Sequence, residues 1–137
     1  MDYKNHLKKL INNYKGEYDD LIKLAPVFYD TINMILVNSD ISGKNRKQLF
    51  ILLGYFIQPR DVLSEELVGA KGLIDDLFLC LHVFNKIVDS GEQDYLINHW
   101  DGDYEVLKKH LTETYSHIRA NNKVMVQSVI NYTEIDN

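Results

Sequence analysis

The sequence is short of the residues that build several whole classes of protein. It holds one cysteine in 137 residues, so no disulfide can form within the chain and the stapled framework of small secreted domains is excluded. Glycine and proline number only 7 and 2, too few for the frequent turns of an all-β design. No apolar run approaches the roughly 20 residues that span a bilayer. Residues 1–6 carry no apolar stretch of the kind that marks a cleaved secretion signal. A soluble, cytoplasmic protein is the expectation. Positive charge is also scarce: 15 Lys and Arg against 20 Asp and Glu leave a formal net charge of −5. Phosphate neutralisation needs a cationic surface, so nucleic acid is not an expected partner. The densest basic cluster, Lys44-Asn45-Arg46-Lys47, reads as the solvated opening of a helix.

What is present is helical spacing. A composition of 45% hydrophobic and 26% charged residues is that of an ordinary globular chain, and residues 1–137 form one domain by size. Leu7, Leu10, Ile11 and Tyr14 make an i, i+3, i+4, i+7 stripe that Gly16 ends. Tyr18, Leu21, Ile22 and Ala25 resume the spacing, and Pro26 either kinks that helix or opens a new one over 27–37. Residues 38–43 are a break rich in Asn, Ser, Asp and Gly, with Ser42 placed to cap a helix over 44–57. From Leu49 onward that helix is apolar nearly all round, which predicts a course through the middle of the core. A second central helix is predicted over 73–88, stopped by Ser90-Gly91. A short helix over 93–100 follows, and Asp101-Gly102-Asp103 turns the chain into a helix spaced by Tyr104, Leu107, Leu111, Tyr115 and Ile118. Residues 123–135 fit a helix or a strand, with the helix preferred. The expected fold is all-α: a compact bundle of five to seven helices, two of them central and apolar, joined by an acidic, glycine-containing loop.

That loop carries the chemistry. Pro59-Arg60-Asp61-Val62-Leu63-Ser64-Glu65-Glu66 leads through Gly69 and Gly72 to Asp75-Asp76. Its carboxylates have two readings. In the structural one, Asp75 or Asp76 accepts from free backbone N–H groups at the helix start and suits the positive end of its dipole, while Asp61 caps a turn. Arg60 or Lys71 then neutralises a carboxylate, and the glycines permit positive φ or close approach. In the functional one, Asp61, Glu65, Asp75 and Asp76 converge on a hard cation, Mg²⁺, Mn²⁺ or Ca²⁺, all of which take oxygen ligands. Crowded carboxylates would also raise a pKa and supply a general acid or base. The regular spacing and closing Glu of a calcium-binding EF-hand loop are missing. Capping is the commoner use of such residues, so no cofactor is expected first.

The same stretch resembles the YkvA-type family, small helical domains of unknown function found in bacteria and archaea. Its pattern is an apolar helix, Pro-x-Asp-(Leu/Val)-Ile-Pro-(Asp/Glu), a Gly-containing turn, and Asp-Asp opening a second apolar helix. Here Pro59-x-Asp61-Val62-Leu63-x-Glu65 and Gly69-x-x-Gly72-x-x-Asp75-Asp76 carry the likeness over about 49–88. Leu63 stands where the family often has isoleucine, and Ser64 where it often has a second proline. The resemblance implies the fold and the acidic turn and brings no established biochemistry. Many members have flanking helices apolar enough to look membrane-embedded; Gln58, His82, Asn85 and Lys86 interrupt them here.

Other polar residues are weaker candidates. His110, Glu113 and His117 lie three and four apart on one helix, a spacing that could hold a transition metal. A solvated polar face opposite Leu107, Leu111 and Ile118 is the preferred reading. His82, in a core helix, reads as a satisfied buried imidazole, with a loop carboxylate as one partner it could take. Cys80, inside an apolar run, reads as core packing. The nine tyrosines suit core edges with a wet hydroxyl, and if some gathered with Trp100 they would form a partner surface. No Gly-x-Ser-x-Gly elbow, phosphate loop, Cys-x-x-Cys pair or His-Glu-x-x-His is found. The expectation is a non-enzymatic module that binds a protein partner or acts as a regulatory accessory. One alternative is a divalent-metal-binding module or metal-dependent hydrolase built on the loop carboxylates. A second, less favoured, is a peripheral membrane-associated protein. A homo-oligomer stays open.

Overall fold

Each break in the hydrophobic spacing becomes a helix end. A computed structural model describes residues 3–57 and 73–136. They form α1 (Tyr3–Ile11), α2 (Asp19–Ile22), α3 (Ala25–Asn38), α4 (Gly43–Phe56), α5 (Ile74–Asp89), α6 (Gln93–His99), α7 (Tyr104–Lys109), a π-helical turn (His110–Thr114), α8 (Tyr115–Asn121) and α9 (Lys123–Thr133). Helical dihedrals continue from α7 through the π turn into α8, so these three make one rod. No strand occurs among the described residues, and the all-α expectation is borne out.

Local chemistry sets the ends. Pro26 sits in the first turn of α3, where a missing N–H costs nothing, so it opens a helix rather than kinking one. Ser42 caps α4, its hydroxyl accepting from the Asn45 backbone N–H at 3.4 Å. Asp103 caps the rod by accepting from Glu105 N–H at 2.9 Å. Gly91 and Gly102, at φ +87° and +125°, supply the left-handed residues that the exit from α5 and the entry to the rod require. Arg46 donates to the carbonyls of Leu36 (2.9 Å) and Ser39 (2.6 Å) at the end of α3. The central cation of the basic cluster is therefore engaged by a helix C-terminus. In the tail, Val126, Val129 and Ile130 are buried at helical spacing, which decides for α9 over a strand.

α5 is the axis of the bundle. It packs most extensively on α4 and also meets α2, α6, the π turn, α8 and α9. Every residue from 77 to 84 is buried. α4 departs from the expected central course. It buries Leu49, Leu52, Tyr55 and Phe56, while Phe50 and Ile57 are 57% and 44% exposed. Among the described residues its main neighbours are α3 and α5. Trp100 is 7% exposed and packs edge-on to Phe28 at 5.0 Å, so it belongs to the core and not to a tyrosine-rich partner surface. The tyrosines tie elements together instead: Tyr3 donates to the Phe56 carbonyl at 2.6 Å and Tyr95 to Asp40 at 2.6 Å.

Candidate functional site

The loop carboxylates are only partly placed. Asp61 and Glu65 lie outside the described residues, as do Pro59, Gly69 and Gly72 of the family-like pattern. Asp75 and Asp76 stand in the first turn of α5, where carboxylates suit the helix dipole. Asp75 Oδ1 accepts from the Asp76 backbone N–H at 3.0 Å and Oδ2 from the Tyr55 hydroxyl at 3.2 Å, which turns this side chain toward α4. Asp76 is fully buried. It raises the pKa of Cys80 one turn on, though burial is the larger cause. Cys80 is inert core packing, as expected. Among the described residues, no three His, Cys, Asp or Glu side chains gather as metal ligands would.

The histidine trio does not converge either. His110 is buried and bonds the Thr114 hydroxyl through Nδ1 at 2.7 Å. His117 bonds the Tyr18 hydroxyl at 2.7 Å, while Glu113 faces away into a separate cleft. The expected solvated face is thus wrong for His110, whose pKa burial lowers, with Asp20 opposing and Lys109 assisting. Tyr18 itself holds φ +58°, a strained backbone for a bulky residue. Its hydroxyl, met by His117 and by Asn122 Nδ2 at 3.3 Å, pins this turn to the end of the rod.

Glu113 enters a large cleft. It lies between α5 and the rod and encloses about 820 Å³, within the range of ligand sites. α5 contributes His82, Asn85, Lys86 and Asp89, an i, i+3, i+4, i+7 polar stripe on a helix that is otherwise apolar beyond its first turn. The rod contributes Glu113, Tyr115, Ser116 and Arg119. The π turn forms the junction: its Leu111 carbonyl accepts from Asn85 Nδ2 at 2.9 Å. Such turns recur at functional sites because they re-aim the side chains around them.

A directed chain of hydrogen bonds forms one wall. His82 Nε2 faces the Asp136 carbonyl at 2.7 Å and must carry the proton there. Nδ1 is then an acceptor and takes the Tyr115 O–H at 2.7 Å, which fixes the tautomer. The Tyr115 oxygen accepts in turn from Arg119 Nη1 at 3.0 Å, with the guanidinium carbon 5.6 Å from the ring centre. Phe78 stacks on Tyr115 at 5.6 Å and 3° and locks the ring. Burial lowers the His82 pKa; the Asp136 carbonyl opposes this, and Lys86 and Arg119 add to it. His82 is a satisfied buried imidazole as the sequence suggested, with a tyrosine and a backbone carbonyl as its bonded partners. Tyr115, Ser116, Arg119 and Asp136 were not anticipated as site residues. The signal that could have found them is the α5 stripe, whose polar side chains must face either water or a polar partner.

Over 122 residues, 87% of this chain, the sequence is 25% identical to an uncharacterised protein, ORF9, of Methanothermobacter thermautotrophicus, covering 84% of that protein. No family model and no solved structure matches the chain. No helix among the described residues is long and apolar enough to cross a membrane.

Proposed function

We propose that the protein is a non-enzymatic binding module that recognises an extended segment of a protein partner in the cleft between α5 and the rod. The observation that carries this reading is the state of His82. Both ring nitrogens of the imidazole in the cleft are bonded to protein groups, so the ring holds a wall in place and presents neither nitrogen directly to a ligand. The walls mix signs, Lys86 and Arg119 against Asp89 and Glu113. They therefore suit a peptide, with its alternating donors and acceptors, better than a polyanion. The likeness to the YkvA-type family is part of the proposal, supported by Asp75 and Asp76 in the first turn of an apolar helix.

The test is selection of phage-displayed random peptides on the protein, with Ser116→Trp as the blocked form. Ser116 is an exposed lining residue, so a tryptophan there fills the cleft without entering the core. Enriched peptides that bind the unsubstituted protein and lose at least tenfold in affinity on Ser116→Trp, at equal melting temperature, support the reading. No enrichment, or peptides indifferent to the substitution, would overturn it.

A further inference from the structure

The polar stripe of α5 does not end at the cleft. Lys86 and Asp89 also line a second depression of about 250 Å³ on the α4 side of the helix, completed by Lys44, Asn45, Gln48 and Ser90. Two of its lining side chains, Asn45 and Ser90, are already matched. Asn45 Nδ2 donates to Ser90 Oγ at 2.8 Å and to Glu92 Oε1, and Ser90 Oγ donates to the Ile87 carbonyl at 2.9 Å. Glu92 also takes the Ser42 backbone N–H at 3.1 Å. Hydrogen bonds from Ser42 first, and from Asn45, hold its carboxyl below the ordinary range. The start of α4 thus already has its anion.

Gln48 is different. It is 8% exposed, lines the depression, and its Oε1 is buried with no hydrogen-bond partner among the described residues. A buried acceptor in that state is costly, and nothing in helix packing requires it. The terminal torsion of a glutamine is broad, so a ligand N–H can draw this oxygen round to the depression.

We propose that this depression is an amide subsite. It takes one peptide unit or one Asn or Gln side chain of the ligand, whose N–H donates to Gln48 Oε1 and whose carbonyl accepts from the Lys44 or Lys86 ammonium. An anion alone is disfavoured, because the buried unmatched atom is an acceptor and Asp89 and Glu92 already supply negative charge. The inference rests on the reading of the α5 cleft as a peptide site and says where the peptide continues.

The test uses N-acetylglycinamide, with methyl acetate and sodium acetate as controls that carry no N–H, titrated into ¹⁵N-labelled protein. The expected result is saturable shifts in the Gln48 side-chain amide and in backbone amides near 44–48 and 86–90. Neither control reproduces them. Gln48→Met should weaken the response at least tenfold while raising the melting temperature of the ligand-free protein, since it removes the unmatched acceptor. Should that variant fail to fold, intermolecular NOEs between the probe amide protons and the Gln48 side chain decide the matter in the unsubstituted protein. Shifts that acetate reproduces, shifts that survive Gln48→Met, absence of saturable shifts, or absence of those NOEs overturn the subsite. Because the probe carries only one peptide unit and one carboxamide and cannot span the α5 cleft, such a failure leaves Ser116-dependent peptide binding standing. A failed peptide selection beside a positive titration removes the peptide reading alone.

Discussion

The Tyr115 hydroxyl and His82 Nδ1 meet at 2.7 Å across the interface of α5 and the rod, and the same hydroxyl oxygen accepts from Arg119. One phenol oxygen therefore completes both a buried acceptor and a guanidinium. Tyr115→Phe keeps the ring, stacked on Phe78, and removes only this junction. An unmatched His82 Nδ1 should cost about 1–3 kcal/mol. Urea unfolding of the variant measures it; a loss well under that range would mean that Tyr115 contributes only its ring.

Two buried histidines set the acid side of the stability profile. Burial pushes both His82 and His110 below the ordinary value of 6.5. The unfolded chain then binds protons first as pH falls, so stability is full above about pH 7.5 and declines through about 6.5 toward the lower folded values. The depressed carboxyls of Asp40 and Glu92 act in the same sense but only around and below their ordinary 3.8 and 4.5, under the range in which the two histidines act. His110→Gln should flatten that part of the curve of unfolding midpoint against pH. A variant as steep as the original protein would assign the slope elsewhere.

Much of this fold was legible because its signals are local. Ser42, Asp103, Gly91 and Pro26 act through their own backbone chemistry, and each marks the helix end its residue type implies. The spacing of Leu77, Cys80, Leu81, Phe84 and Val88 marked a central helix over 73–88. Less legible were features that depend on what packs nearby. The run 49–57 of α4 and its C-cap looks as apolar in sequence as 77–84 of α5, yet only the latter is buried throughout, and Phe50 shows the difference. The π turn has no residue signature; it is the Leu111 carbonyl, reached by Asn85 from another helix, that marks its place. The cleft was half-written in the sequence, in the polar interruptions His82, Asn85 and Lys86, but its far wall depends on how the rod lies across α5.

Glycine substitutions separate helix propensity from backbone constraint. Gly54 lies exposed within α4, and a Cβ there meets nothing within 4 Å among the described residues. Gly54→Ala should stabilise the protein by about 0.5–1 kcal/mol, chiefly by restricting the unfolded chain. At Gly91 a Cβ also meets open space, but φ is +87°. Gly91→Ala should destabilise by about 1–2 kcal/mol, because an L side chain is strained there. Thermal unfolding of the pair tests both signs, and a matching sign would refute the backbone explanation.

The last prediction concerns the acidic turn. Asp75 bonds the Asp76 N–H and the Tyr55 hydroxyl at the positive end of α5. Asparagine keeps an oxygen for either bond and loses the charge. If Asp75 is a helix-start carboxylate, Asp75→Asn should cost about 0.3–1 kcal/mol, and Mg²⁺, Mn²⁺ or Ca²⁺ should leave the melting temperature of metal-stripped protein unchanged. If Asp61, Glu65, Asp75 and Asp76 instead share an ion, a metal at about 100 times its Kd adds about 2.7 kcal/mol to the folded state. The resulting rise in melting temperature would vanish in Asp75→Asn. The two uses of the same residue thus differ in kind: a dipole effect is present without ions and weakens with salt, whereas a coordination effect appears only with the metal and saturates with its concentration.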